Sequence, residues 1–152
     1  MKASFSYEKR GEILKKSGLR HTRQRDGIIE ALVGADGPES AQAMHDRLTK
    51  KGADIDLSTV YRTLEVLEAS GVVRKIVIEN DTSAYYEFTA NEHHHYLICL
   101  ECRKIRSIDY CPLVSYEILL SKETDFVIEG HSLNIYGYCP ECLRKREGPQ
   151  VE

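Results

Sequence analysis

Two CxxC motifs constrain the fold of this chain more than any other feature. Cys99 and Cys102 form the first motif, Cys139 and Cys142 form the second, and 36 residues separate the two. Each motif can offer two thiolates to one metal ion, so two motifs complete a tetrahedral zinc site with no open position. A saturated site of this kind is structural, and it would hold the strand before Cys99 against the chain end. The alternative is thiol redox chemistry, which needs a thiol of lowered pKa at a helix N-terminus.

A fifth cysteine, Cys111, lies outside both motifs and directly before Pro112. The sequence predicts a buried, inert thiol at this position, with a reactive or metal-binding role as the alternative. The chain contains no run of about 18 apolar residues, and its first residues lack the apolar segment of a secretory signal. We therefore expect a cytoplasmic protein that makes no membrane contact and keeps its thiols reduced.

The net charge of −3 conceals an uneven distribution of charge along the chain. Residues 1–80 carry 14 basic and 12 acidic side chains, whereas residues 81–152 carry 7 and 12. The first 25 residues alone hold eight basic and two acidic side chains, and all five cysteines lie after residue 90. The sequence therefore predicts a two-part molecule, with a basic-tipped N-terminal domain over residues 1–84 and an acidic domain rich in metal-binding side chains over residues 85–152.

Helix start and stop signals divide the first domain into short helices. A first helix is expected over residues 7–17 and ends at Gly18, which tolerates a left-handed cap. Thr22 and Ser40 are the expected N-caps of the second and third helices.

A fourth helix is followed by two β-rich runs. Ser58 is the expected N-cap of this helix, and Gly71 terminates it. The runs VVRKIVIE and SAYYEF are joined through Asn80 and Asp81, which suit a hairpin turn. Short helices followed by a hairpin are typical of a winged helix-turn-helix domain.

The fourth helix is the expected DNA-reading helix. Val60, Leu64 and Leu67 recur at a helical spacing and face the core, which leaves polar side chains at the outward N-terminal end. Such side chains suit base edges and phosphates. The candidate contacts on this helix are Ser58, Thr59, Tyr61, Arg62 and Thr63, and the candidate backbone or minor-groove contacts are Lys15, Lys16, Arg20, Arg23 and Arg25. The alternative is that these are ordinary surface residues of a small helical bundle.

A histidine-rich run, EHHHY at residues 92–96, directly precedes an apolar run. In an extended strand, His93 and His95 point to one face and His94 points to the other. The other candidate ligands are His131, in a segment with strand-like alternation, and Glu87, near the hairpin end. Mixed His and carboxylate sites suit Fe(II), Mn(II), Ni(II), Co(II) or Zn(II). The alternative is a solvated histidine-rich turn that binds no metal.

Four segments follow one another in a specific order: LRHTRQR at residues 19–25, LSTVYRTL at 57–64, HHHYLICLEC at 93–102 and GHSLNIYGYCPEC at 130–142. Together they resemble the ferric uptake regulator family of metal-responsive bacterial repressors, over nearly the whole chain. The resemblance implies a homodimer with an α+β fold, in which an N-terminal winged helix-turn-helix domain precedes a C-terminal α/β dimerisation domain. It also implies a structural zinc on the four cysteines of the CxxC motifs.

The resemblance implies two further metal sites, and the chain matches each of them only in part. At the site beside the hinge, Glu87 and His94 match the family, whereas Pro38, Tyr96 and Ser107 depart from it. This site is therefore expected to be depleted, which argues against iron sensing of the usual kind and against the peroxide-sensing branch. The absence of cysteine from residues 76–90 argues against the zinc-uptake subgroup.

The second family site lies within the dimerisation domain and is better preserved. His93, His95 and His131 match its ligands, whereas Val114 stands where the family has a carboxylate. The fourth ligand would be Asp109, Glu117 or water.

Taken together, the motifs predict a metal-dependent transcriptional repressor of metal-homeostasis or stress genes. It would bind a double-stranded operator with pseudo-palindromic half-sites as a homodimer, and it would use a structural Zn(II) and a second divalent metal, Zn, Fe, Mn, Ni or Co, at the His-rich site. No nucleophile motif or phosphate-binding loop is recognisable, so no catalytic residue is expected. The alternatives are a zinc-stabilised protein-interaction module and a regulator that binds DNA without a sensed metal.

Overall fold

The α+β fold expected from the sequence is confirmed by a computed structural model, in which residues 5–89, 94–108 and 110–148 are described. The chain divides into two compact units, residues 1–91 and 92–152. The boundary predicted after residue 84 falls within the last strand of the first unit, Ala84–Phe88. Within the described ranges, no helix is long and apolar enough to cross a membrane.

The first unit combines four helices with a three-stranded antiparallel sheet. Its helices are α1 (Tyr7–Lys16), α2 (Arg23–Gly34), α3 (Ala41–Lys50) and α4 (Leu57–Ala69), and its strands are β1 (Glu39–Ser40), β2 (Val73–Val77) and β3 (Ala84–Phe88). Strand β3 lies between β1 and β2 and pairs antiparallel with both. These helices and the β2–β3 hairpin form the winged helix-turn-helix that the sequence predicts.

Hydroxyl side chains cap the starts of the first three helices. Ser6, Thr22 and Ser40 each accept a hydrogen bond from the backbone N–H three residues later, at 3.3, 3.3 and 3.1 Å. These bonds satisfy amide groups that have no partner within the helix. The predicted N-caps Thr22 and Ser40 are thus confirmed.

Helix α4 begins earlier than the sequence suggests. Its N-cap is Asp56, and Ser58 lies inside its first turn, so the predicted cap at Ser58 is wrong. Aspartate and serine are comparably good N-caps, which is why two candidates two residues apart could not be told apart. Gly71 follows the helix with a φ of +74°, in the left-handed region expected for a terminating glycine.

The core of the first unit is apolar and draws on all four helices and the hairpin. Full burial of one large aliphatic side chain contributes about 1.5–3 kcal/mol. The large aliphatic side chains that exclude solvent completely are Leu14, Ile28, Ile29, Met44, Val60, Leu64 and Leu67. The inward face predicted for α4 is confirmed, but Thr63, expected on its outward face, is buried.

The second unit is a three-stranded sheet with two helices. Its elements in chain order are β4 (His95–Cys99), β5 (Ile105–Ile108), α5 (Val114–Thr124), β6 (Asn134–Gly137) and α6 (Pro140–Glu147). The central strand β4 pairs antiparallel with β5 and parallel with β6. This order brings the turn after β4 and the start of α6 to the same end of the sheet.

Much of the apolar surface of the second unit is exposed in a single chain. Helix α5 contains no buried residue, and Val114, Tyr116 and Ile118 each expose more than half of their surface. Leu97 and Ile135, which pair across β4 and β6, are also exposed. Exposed apolar side chains such as these are typical of an interaction surface when they are contiguous.

A buried ion cluster joins α1 to α2 in the first unit. The guanidinium of Arg10 donates two hydrogen bonds to the Asp26 carboxylate, at 3.0 and 2.8 Å, and a ring nitrogen of His21 lies 3.0 Å from the same carboxylate. Burial alone would raise the pKa of Asp26, but the hydrogen bonds from Arg10 and His21 outweigh it and hold that pKa below 3.8. The ionised carboxylate therefore stabilises the fold above pH 3.8, and this contribution is lost as the pH falls through the lower folded pKa.

Replacing the guanidinium tests the importance of this cluster. Arg10→Met is expected to lower the free energy of unfolding by about 3 kcal/mol at neutral pH, because it removes the main partner of a buried carboxylate. The deficit should shrink below pH 3.8, where the wild-type protein loses the contribution of its ionised carboxylate. Urea unfolding followed by circular dichroism across this pH range measures both effects.

Lys51→Met is the matched control, because it removes an exposed positive charge from the same unit. Its effect should stay within about 0.5 kcal/mol. Equal losses in the two variants would contradict a special role for the Arg10–Asp26 pair.

Candidate functional site

Four cysteines from distant parts of the second unit converge on one point. Cys99 ends β4, Cys102 follows in the turn to β5, Cys139 precedes α6 and Cys142 lies in its first turn. Their Sγ atoms all lie within 4.8 Å of one another. The turn closes because Arg103 adopts a left-handed φ of +61° and its N–H donates to the Cys99 carbonyl at 3.0 Å.

The spacing of the four sulfurs suits a shared metal ion. The Sγ atoms of Cys102 and Cys139 are 3.8 Å apart. Two thiolates that each lie about 2.3 Å from a tetrahedral zinc are separated by about 3.8 Å, whereas a disulfide needs about 2.05 Å. All four cysteines are free thiols in this structure.

The crowded thiols differ widely in pKa. The backbone N–H of Cys139 donates to Cys99 Sγ at 3.4 Å and is the main reason that the pKa of Cys99 falls to about 6. Burial and the neighbouring thiols raise the pKa of Cys142 to about 12. Negative charge on all four sulfurs is therefore unfavourable unless a cation lies among them. The donor set fits Zn(II), which accepts four thiolates in tetrahedral geometry.

Polar contacts between α6 and the β4–β5 turn contribute little to this convergence. Arg146 donates to Glu101 at 3.0 Å and lies 4.3 Å from the centre of the Tyr138 ring, while Lys104 is 3.6 Å from Glu141. All four charged partners are exposed, so each ion pair contributes at most about 1 kcal/mol. Besides the pairing of β4 with β6, a metal ion would therefore be the main link between the two CxxC motifs.

A second group of metal-ligating atoms lies elsewhere in the second unit. His95 Nε2 is 3.2 Å from Cys111 Sγ and 3.0 Å from His131 Nε2, and Cys111 Sγ is 3.2 Å from His131 Nε2. His95 begins β4, Cys111 lies shortly before α5, and His131 lies shortly before β6. His95 is fully buried, while the other two are half-buried. We name these three residues the His-Cys centre.

Glu117 lies behind this centre and does not converge with the three ligand atoms. Its carboxylate is 2.5 Å from Nδ1 of His131, which is the ring nitrogen that faces away from Cys111. The carboxylate therefore orients the imidazole, as carboxylates hydrogen-bonded to metal-binding histidines commonly do. The predicted ligand role of Glu117 becomes a positioning role in this geometry.

The structure revises the sequence interpretation of this region. Cys111, predicted to be inert, faces two imidazole nitrogens, and no motif spacing pointed to that arrangement. His131 precedes a strand that begins only at Asn134. Two other predicted ligands, His93 and Asp109, lie outside the described residues.

The two predicted hinge-side ligands belong to different units of the chain. Glu87 lies in β3 of the first unit, opposite Arg74, and His94 directly precedes β4 of the second unit. Neither belongs to a group of three or more metal-ligating side chains within residues 5–89, 94–108 and 110–148.

The N-terminal end of α4 presents polar side chains to solvent. Tyr61 and Arg62 are exposed, Thr59 is half-buried, and Ser58 is exposed. The Arg62 guanidinium donates to the carbonyl oxygen of Ser58 at 3.3 Å and to its hydroxyl oxygen at 3.2 Å. The arginine is thus held along its own helix with its remaining N–H groups available to a ligand.

The predicted basic contacts lie at the end of α1 and the start of α2. Lys15 and Lys16 are exposed in the last turn of α1, and Arg20 and Arg23 are exposed after it. Arg25 is half-buried and donates to the backbone carbonyl of Arg20 at 3.0 Å. This arginine holds the loop between α1 and α2 as well as carrying charge.

A family model described as the ferric uptake regulator family matches residues 16–136. The chain belongs to the ferric uptake regulator family. The peroxide operon regulator of Bacillus subtilis is 36% identical over 134 residues, which cover 88% of this chain and 91% of that protein. Members of the ferric uptake regulator family are transcriptional regulators, and this chain is a metal-dependent, DNA-binding regulator of that kind.

Solved structures of the ferric uptake regulator family share the fold. The regulator of Helicobacter pylori, described as having three functional metal binding sites, is 25% identical, with a TM-score of 0.79 over 95% of this chain and 98% of that chain. The Vibrio cholerae regulator, described with rearranged DNA-binding domains, is 28% identical, with a TM-score of 0.75 over 85% and 98%.

The four-cysteine cluster can be tested by removing one sulfur. Cys142→Ser is expected to abolish tight zinc binding and to unfold the second unit, because binding of a structural zinc supplies about 10–16 kcal/mol of apparent free energy in small zinc domains. Elemental analysis after mild chelation and limited proteolysis measure these outcomes.

Cys111→Ser is the control, since it removes a cysteine that lies outside the cluster. It should retain one chelation-resistant zinc per chain. A Cys142→Ser protein that keeps this zinc and resists proteolysis would refute the assignment of the four cysteines.

Proposed function

We propose that this protein is a cytoplasmic, homodimeric repressor that binds a pseudo-palindromic operator when a divalent metal occupies its second unit. The observation that carries the proposal is the division of α4 into two faces. Val60, Leu64 and Leu67 are fully buried, whereas Tyr61 and Arg62 face solvent at the start of the helix. A helix anchored in this way can enter the major groove without disturbing the core.

The exposed end of α4 suits recognition of bases. Arg62 can donate two hydrogen bonds to the O6 and N7 atoms of guanine, and the ring of Tyr61 can pack on a thymine methyl group. Ser58 and Thr59 carry hydroxyls that can reach phosphates.

The basic side chains near the α1–α2 loop suit the DNA backbone. Lys15, Lys16, Arg20 and Arg23 are exposed and carry positive charge. Contacts of this kind supply affinity that is independent of sequence and falls steeply with salt.

Dimerisation would use the second unit, because its apolar side chains are exposed in a single chain. The exposed apolar side chains Val114, Tyr116 and Ile118 of α5 support this assignment. A two-fold dimer places two reading helices at a fixed separation, and such a separation selects half-sites related by the same symmetry.

The two metal-ligand groups would have different roles. Zn(II) on Cys99, Cys102, Cys139 and Cys142 would complete the fold of the second unit, since four ligands leave no open position. A second divalent metal at the His-rich site predicted from the sequence, which includes His95 and His131, would favour one placement of the DNA-binding domains. A metal changes this equilibrium only by binding one placement more tightly than the other.

The regulated genes would concern metal homeostasis or stress. The 36% identity to a peroxide operon regulator supports the stress alternative, whereas departures such as Tyr96 and Ser107 support a different effector chemistry. We propose no enzymatic activity. The exposed polar end of α4 and the membership in the ferric uptake regulator family both support a role in transcriptional regulation.

The reading helix can be tested with Arg62→Ala. The operator is first selected from a random duplex pool with metal-loaded protein, and its affinity is then measured by fluorescence anisotropy at several salt concentrations. Loss of the arginine should weaken operator binding by about 1–3 kcal/mol and relax the base preference at one position in each half-site.

Arg144→Ala provides the control, because this exposed arginine lies on α6 of the second unit. It should leave affinity within about twofold of the wild type, which is about 0.4 kcal/mol. Selection of no duplex at all, or binding without salt dependence, would support the alternative of a protein-interaction module instead.

Removal of the second metal tests its regulatory role. Mild chelation that leaves one zinc per chain should weaken operator binding about 5–150-fold, the usual range for coupling between two ligands. Restoring the metal should restore affinity in the same sample. Identical binding before and after chelation would mean that the protein binds DNA without a sensed metal.

A further inference from the structure

We propose that the His-Cys centre is a mononuclear metal site in which Cys111 supplies a thiolate ligand, and that this sulfur selects Zn(II) or Co(II) over Mn(II). The regulatory consequence rests on the proposed function, whereas the metal binding itself does not. The argument depends on the convergence of three donor atoms, on the hydrogen bond behind one of them and on the softness of sulfur.

The three donor atoms have nearly the spacing of ligands on one small cation. His95 Nε2, His131 Nε2 and Cys111 Sγ form a triangle with sides of 3.0, 3.2 and 3.2 Å. Nitrogen and sulfur ligands of a tetrahedral zinc lie about 3.3–3.6 Å apart, so a shift of a few tenths of an ångström would accommodate the ion. The rings of the two histidines are stacked, with centroids 4.8 Å apart.

Hydrogen bonding alone does not account for this triangle. An ionised carboxylate only accepts hydrogen bonds, so Glu117 favours the His131 tautomer that carries its proton on Nδ1. Nε2 of that neutral imidazole then offers a lone pair and no proton. With His131 in this neutral form, at most two protons, on His95 Nε2 and Cys111 Sγ, are available for the three sides of the triangle. A cation that accepts all three lone pairs satisfies the arrangement.

The position of Glu117 also matches what metal-bound histidines need. A ligating imidazole commonly donates its other N–H to a carboxylate, which fixes the ring orientation and increases the basicity of the ligating nitrogen. Glu117 makes this contact with His131 at 2.5 Å. It lies on α5, as the residue six positions after Cys111, so the same local segment supplies both a ligand and a positioning residue.

The sulfur determines the class of metal. Thiolate and imidazole ligands favour zinc and cobalt, whereas Mn(II) favours carboxylate, carbonyl and water oxygens. When the metal binds, the Cys111 thiol gives up its proton to solvent and the sulfur lone pair forms the metal bond, with no change in oxidation state. Three protein ligands among the described residues leave the fourth tetrahedral position to water or a further ligand.

Cobalt spectroscopy tests the sulfur ligand without reference to DNA. Protein that retains zinc on its four cysteines is titrated with Co(II), and zinc release is monitored so that exchange at the four-cysteine cluster is detected. We expect one cobalt per chain, with the visible bands of tetrahedral Co(II) and a near-ultraviolet thiolate-to-cobalt charge-transfer band. Mn(II) should compete poorly with the bound cobalt.

Two variants separate the ligand from the positioning residue. Cys111→Ser should lose the charge-transfer band, whereas Glu117→Gln should keep the band and weaken cobalt binding about 10–100-fold. Ser115→Ala, at an exposed position on α5, should match the wild type. A wild-type titration without the band, or an undiminished band in Cys111→Ser, would overturn the proposal.

A measurement on the wild-type chain tests the proposal even if the variants misfold. Alkylation of Cys111 by iodoacetamide, followed by peptide mass spectrometry, should slow when Zn(II) is added to zinc-retaining protein. An unchanged alkylation rate at saturating zinc would also overturn the proposal. Operator binding measured on the same samples separates the two claims: a sulfur-ligated metal that leaves DNA affinity unchanged would support the centre and refute its regulatory role.

Discussion

In the proposed arrangement, the fold of the second unit would depend on a cation that four crowded cysteine sulfurs share. Cys99 and Cys142 have pKa values displaced in opposite directions, which means that the cluster resists full ionisation on its own. The remaining core of this unit is small, with Tyr96, Ile98 and Ile105 as its main buried side chains among the described residues. Metal coordination by the four cysteines would therefore take the place that a larger apolar core occupies in a unit of this size.

The first unit is held together by different means. Its apolar core spans four helices and a hairpin, and its one buried carboxylate among the described residues, Asp26, is satisfied by Arg10 and His21. The two units would thus differ in how their stability responds to conditions, since acid would act on the ion cluster of the first and metal depletion on the sulfur cluster of the second.

Sequence patterns predicted the features that depend on local chemistry. The helix caps at Thr22 and Ser40 follow from the hydrogen-bonding needs of backbone N–H groups at a helix start. The inward face of α4 follows from the helical spacing of its apolar residues. The two CxxC motifs predicted the sulfur cluster because their spacing reflects a coordination requirement. Residues whose role depends on tertiary geometry escaped prediction: Thr63 is buried by packing, and Cys111 meets two histidines across the fold. The short strand β1 depends on pairing with β3, a contact that no local pattern encodes.

The hydrogen bonds that hold Arg62 on its own helix have a consequence for the entropy of recognition. Two of the five N–H donors of its guanidinium are engaged by Ser58 before any ligand arrives. Immobilising a long side chain at an interface ordinarily costs about 0.5–1.5 kcal/mol, and a side chain that is already ordered loses less freedom. A lysine at this position would carry the same charge. Its donors all lie on one nitrogen, however, so it lacks the separate N–H groups with which arginine can contact its own helix and a base edge at the same time.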